Sequence, residues 1–92
     1  MSGEIEITET AVGSLDGARV GVGNLMESDY TDAAGSERRG LTAQLFLLGQ
    51  SERVIVGEGS VFPAGGRDWE VVRVEKDEGA HGSITLRPAA SS

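Results

Sequence analysis

Cysteine is missing from this chain altogether, which removes disulfides, thiolate nucleophiles, iron–sulfur clusters and cysteine zinc sites. That absence fits a reducing compartment. Histidine is nearly missing too: His81 is the only one. A metal site built from several histidines is excluded within one chain, and a Ser-His-Asp arrangement would rest on this one residue. No G-x-S-x-G segment accompanies it, and its place between Ala80 and Gly82 reads as a surface turn.

Aromatic side chains are almost as scarce, since Tyr30, Phe46, Phe62 and Trp69 are the whole set. The core is therefore expected to be aliphatic. Long apolar runs are absent as well, none approaching the roughly 20 residues that span a bilayer. The opening MSGEIEITET is acidic and lacks the basic-then-apolar order of a secretory signal. A soluble, cytoplasmic protein without a membrane partner is the expectation. Richness in glycine, alanine and arginine hints at a bacterial origin.

Positive charge is in short supply. Eight bases, seven arginines and Lys76, stand against fifteen acids, for a formal charge of −7. Phosphate-backbone binding needs clustered positive charge, and the only adjacent pair is Arg38-Arg39 in an acidic neighbourhood, so nucleic acid is not an expected partner. The acidity maintains solubility and can steer a protein toward a basic partner, as an acidic inhibitor or immunity-type protein would be steered. Gly13, Gly17, Gly21 and Gly23 lack the lysine and the following helix of a phosphate-binding loop.

A chain of this length makes one domain, expected over residues 1–88 with a flexible tail at 89–92. Such a domain buries only about 60 to 65% of the surface its unfolded chain exposes, which leaves little to enclose a dry site. No enzymatic activity is expected, and no catalytic, cofactor-binding or metal-binding residue is assigned.

What the chain does have is strand patterning. Residues 60–74, SVFPAGGRDWEVVRV, place an apolar pair, a Pro-Ala-Gly-Gly turn and an apolar run in the order of a β-hairpin. Pro63 has the fixed φ that opens a turn, and Gly65 and Gly66 tolerate positive φ. On the outgoing strand, Trp69 and Val71 would share one side and Val72 and Val74 the other. A β-bulge near Val71 resolves the conflict by turning Trp69, Val72 and Val74 inward and leaving Glu70, Arg73 and Glu75 in water. Trp69 reads first as core, second as a contact for a ligand or partner.

Residues 4–8 alternate, with Ile5 and Ile7 on one side. Residues 13–17 read as a turn with Leu15 buried. Over residues 18–26, Val20, Val22 and Leu25 point inward, while Gly21 and Gly23 imply a bulge or a sharp bend. Residues 27–39, ESDYTDAAGSERR, form the longest polar interval and read as a functional loop. Its Glu27, Asp29 and Asp32 lack EF-hand spacing and read as solvated acids that tune partner choice. Tyr30 is the aromatic there, either an interface anchor or a ring folded back on the sheet.

Residues 41–48, LTAQLFLL, make the most apolar strand. Leu41, Ala43, Leu45 and Leu47 form a core face; Thr42, Gln44, Phe46 and Leu48 form a face that starts polar and ends apolar. Phe46 and Leu48 therefore need cover from another layer or a second copy of the chain. Residues 49–51 suit a hairpin reversal. In the strand that returns, Ile55 faces opposite Val54 and Val56, a second sign of apolar content on both sides. Residues 76–82, KDEGAHG, form another reversal, and Ile84 and Leu86 point inward at the close.

No amphipathic helical pattern longer than about ten residues occurs. The expected fold is all-β, a small antiparallel sandwich or partly open barrel of about six or seven short strands with no core helix. The expected role is a protein–protein interaction module, self-associating through a sheet face or edge, with Tyr30, Phe46, Leu48, Trp69, Glu27, Asp29 and Asp32 as candidate interface residues. The alternatives are a small-ligand or sugar-binding β-domain and the acidic partner of a basic protein.

Overall fold

Alternating apolar residues and glycine turns lay down eight strands in the computed structural model, which describes residues 4–15, 17–47, 52–76 and 82–89. They are β1 (Ile5–Thr8), β2 (Val12–Leu15), β3 (Ala18–Thr31), β4 (Glu37–Leu47), β5 (Glu52–Gly57), β6 (Val61–Ala64), β7 (Arg67–Glu75) and β8 (Ser83–Pro88). No helix occurs among the described residues. The strands form two antiparallel sheets, the first in the order β1-β8-β7-β6 and the second in the order β2-β3-β4-β5. Together they make a small sandwich, as the patterning predicts.

The core between the sheets is aliphatic with two aromatic anchors. Leu15, Val20, Leu45 and Val56 of the second sheet meet Phe62, Trp69, Val71, Ile84 and Leu86 of the first, all buried. Every inward residue expected on β4 and β8 is found there. The chain crosses between sheets at both sides, through β1 to β2 and β5 to β6. Each crossing is tied by backbone bonds: Thr10 N–H to the Val22 carbonyl at 2.8 Å, and Gly59 N–H to the Val71 carbonyl at 2.9 Å.

Four expectations need correction. Residues 13–17 are not a turn throughout, because Val12–Leu15 is a strand paired with β3, which raises the count to eight. Gly13 serves a close approach rather than a reversal: a Cβ there would stand 2.5 Å from Ile7 Cδ1 of the facing sheet. Leu15 is buried as expected.

Second, residues 27–39 are not an open loop. β3 and β4 run on as a hairpin pairing Glu27 with Leu41 through Thr31 with Glu37, and only residues 32–36 turn. Its polar sequence reflects the lack of a facing sheet beyond Leu25, so neither side of the extension must be apolar.

Third, Pro63 does not open the turn at residues 63–66. It lies within β6 opposite Asp68, and the reversal is the two-residue loop Gly65-Gly66. Both glycines have positive φ, 64° and 85°, the geometry whose twist suits a two-residue hairpin.

Fourth, the bulge near Val71 exists, with the register shifting between Val71 and Arg73, but it turns Val71 rather than Val72 into the core. Trp69 and Val71 are buried, Val72 is the half-buried bulged residue, and Val74 packs against the core. Arg73 and Glu75 face water as expected, and Glu70 is half-buried.

A second bulge interrupts β3 between Val22 and Leu25. It releases the Leu25 N–H from the ladder, and Glu9 takes it up: Oε2 accepts from Leu25 N–H at 3.2 Å, and Oε1 accepts from Gly82 N–H at 3.1 Å. The Glu9 side chain is buried, with Lys76 Nζ 3.8 Å from Oε2. One carboxylate thus joins the β1–β2 corner, the β3 bulge and the start of the last strand.

Candidate interaction face

The outer face of the second sheet can be read from its register. Val12 pairs with Gly21, Gly21 with Phe46, and Phe46 with Arg53, so these four make one row across all four strands. The next rows hold Gln44 beside Ile55, then Met26 beside Thr42 and Gly57. Val20, Val22, Leu45 and Val56 point into the core, which fixes the alternate residues as outward.

That face is apolar at its middle. Val12, Ile55 and Met26 are 50%, 51% and 54% exposed. Phe46 is half-buried because its ring lies down over Gly23, where a Cβ would stand 2.5 Å from Cε2. The glycine makes room for the ring to lie flat. Phe46, a predicted interface residue, therefore shares one sheet face with the exposed apolar residues Val12, Met26 and Ile55, with Gln44 and Thr42 between it and Met26. Ile55 was signalled by its opposition to Val54 and Val56; Val12 and Met26 required the pairing register. Leu48, the other predicted member, lies outside the described residues, as do the 49–51 reversal and His81.

Tyr30 also lies on this side but lies down on it. Its ring covers Gly57, where a Cβ would stand 2.5 Å from Cζ, and its hydroxyl donates to the Glu58 carbonyl at 2.9 Å. At 8% exposure it is sheet packing rather than a protruding anchor. Arg38 caps it, with the guanidinium carbon 5.9 Å from the ring centroid.

Trp69 is 3% exposed and its indole N–H donates to the Ala64 carbonyl at 3.0 Å. The ring is core, and no face of it is offered to a stacking ligand.

The three acids of residues 27–32 do not converge. Glu27 and Asp29 share Arg39, at 3.9 and 3.1 Å. Asp32 turns back on its own loop, where Oδ1 accepts from the N–H groups of Ala34 and Ser36, both at 3.0 Å. Among the described residues no cluster of acids or histidines could hold a metal ion. The hairpin tip is also pinned, since Ala33 N–H donates to the Gly59 carbonyl and Ser60 Oγ donates to the Thr31 carbonyl.

Among the described residues, the charged side chains that register and alternation place on the outer face are of one sign. Register and alternation place Arg19, opposite Ser14, with Arg53 and Arg38 there, and all three are exposed. Among the described residues none of the three has a carboxylate partner, whereas Arg39, Arg73, Arg87 and Lys76 do. On the opposite side of the molecule, the hydrogen bond and charge of Glu70 raise the pKa of Arg87. Exposed apolar residues with Arg19, Arg38 and Arg53 around them, in a chain of net charge −7, are a local reversal of the overall electrostatics.

The chain matches no protein-family model, no curated protein and no solved structure.

Proposed function

We propose that this chain is a non-enzymatic protein–protein interaction module that binds through the outer face of the second sheet. The observation that carries the reading is the group Val12, Phe46, Ile55 and Met26, three of whose members are half-exposed on one sheet face. Single exposed apolar residues are ordinary on protein surfaces, but several sharing one face and rimmed by polar residues mark a contact. Arginine and methionine are enriched in such contacts. Sheet edges are the weaker route. Three of the four edge strands, β1, β2 and β6, are four residues each, and Pro63 on β6 has no N–H to give, so these three are poor templates for another strand, which leaves only the six-residue β5.

The face is small. Four strands about 4.8 Å apart, each contributing about six residues, describe a patch of roughly 400 Å², half of what a standard complex buries per partner. Binding in the micromolar range or weaker is expected.

Photo-crosslinking tests the reading. A benzophenone side chain at position 55 or 12 is expected to trap a protein in vivo, while the same group at position 34, on the exposed hairpin tip, traps none. Equal trapping at all three positions, or none at 55 and 12, overturns it.

A further inference from the structure

We infer that the occupant of the second sheet's outer face is the outer face of the first sheet of another copy, so that the protein associates head to tail. This rests on the reading of the second sheet as a contact face.

The two outer faces are electrostatic complements. Register and alternation place Glu4, Glu6, Asp68, Glu70 and Glu75 on the outer face of the first sheet, with Arg73 and Arg87 as its bases. Glu70 is bound to Arg87 Nε at 2.9 Å and Glu75 to Arg73. Glu4, Glu6 and Asp68 are left with no base in ion-pair contact among the described residues, although Glu4 lies in the field of Arg87. Three carboxylates without a base on one side answer three guanidinium groups without a carboxylate on the other, Arg19, Arg53 and Arg38, the last also donating to the Glu58 carbonyl.

The first sheet also offers something for the apolar residues of that face to cover. Val61 is 39% exposed beside Glu70 on β6, next to exposed Pro63 and near half-buried Val72. A symmetric pairing of two second-sheet faces would instead set two groups of three unpaired arginines against each other, which like-charge repulsion opposes. Because the two surfaces differ, the contact is heterologous and does not close at two copies.

Sedimentation of the full chain at rising concentration, in low and in high salt, tests this together with two surface variants. Arg19→Glu with Arg53→Glu reverses the basic face, and Glu4→Lys with Asp68→Lys reverses the acidic face. Arg38 is left alone because it caps Tyr30. All four positions are exposed, and thermal melting of each variant verifies folding. The wild type is expected to grow past a dimer with concentration, and its affinity to fall about tenfold or more between 50 and 500 mM salt as screening shortens. Each variant alone is expected to be monomeric. Their equimolar mixture is expected to grow past a dimer again with the two variants alternating, since the unchanged acidic face of one meets the unchanged basic face of the other and the two reversed faces are complementary as well.

If the acidic-face variant dimerises like the wild type and the basic-face variant does not, head-to-tail association is wrong and the contact is symmetric, with the face itself upheld. If the wild type stays monomeric at about 1 mM in low salt, a concentration well above the Kd expected of steered contacts, the second copy is not the occupant. Crosslinking from position 55 then still decides whether the face binds anything.

Discussion

A buried carboxylate persists only where donors replace the water it has lost. Glu9 finds two such donors in the N–H groups of Leu25 and Gly82, 16 and 73 positions away in the chain. Glu9→Ala is expected to lower stability by about 2 to 4 kcal/mol, because two backbone donors and Lys76 lose their acceptor. Glu9→Gln should fall between, since the amide nitrogen cannot accept. Urea denaturation followed by the single tryptophan measures both; a loss below about 0.5 kcal/mol for the alanine variant would refute the clamp. Nothing in the local sequence marks Glu9, which stands in an acidic stretch like Glu4 and Glu6. Its role depends on partners that only the tertiary fold brings near. Trp69 was legible for the opposite reason, since the sole large indole of a small aliphatic core has few other places to go. Tyr30 falls between these cases: its type suggests packing or contact, and Gly57 opposite decides for packing. Gly57→Ala drives a Cβ into a ring already held by its hydroxyl, and is expected to destabilise by about 1 to 3 kcal/mol, read from the same denaturation curve.

Strands announce themselves where one side must be dry, and β1, β4, β5, β7 and β8 were legible for that reason. The β3–β4 extension was not, because past Leu25 it faces no second sheet and carries polar residues on both sides. Its order comes instead from pairing, from the Arg39 ion pairs and from the capped tip. Asp32→Ala removes the acceptor of two backbone N–H groups and is expected to cost about 1 kcal/mol. Hydrogen exchange at Ala34 and Ser36 should accelerate while the core strands stay protected; unchanged exchange would show that the tip needs no cap. The β2 strand escaped notice because Gly13, Ser14 and Gly17 imitate turn chemistry, whereas only Gly17, at φ 89°, uses its freedom to reverse the chain. The corner before it holds Thr10 at φ 70°, an uncommon conformation for a β-branched residue. Thr10→Gly is expected to stabilise by about 0.5 to 1 kcal/mol, the relief of strain exceeding the added freedom of the unfolded chain. A drop in melting temperature would contradict this.

At the scale of the whole molecule, charge sorts by face in a way that composition conceals. The net −7 gives no sign that, among the described residues, the strands of one outer face carry arginines, because alternation and register, not sequence proximity, gather Arg19, Arg38 and Arg53. The same is true of the apolar residues on that face, to which Phe46 gave the clue and Val12 the confirmation of extent. The topology has a kinetic implication as well. β1 pairs with no strand but β8, Ile5 opposite Leu86, so the earliest strand to be synthesised waits for the latest. A ribosome must deliver residues 83–88 before the first sheet has its far edge, and until then Ile5 and Ile7 remain without their neighbours. A chain stalled before residue 83 would therefore present unfinished β-structure to the quality-control machinery rather than a half-working domain.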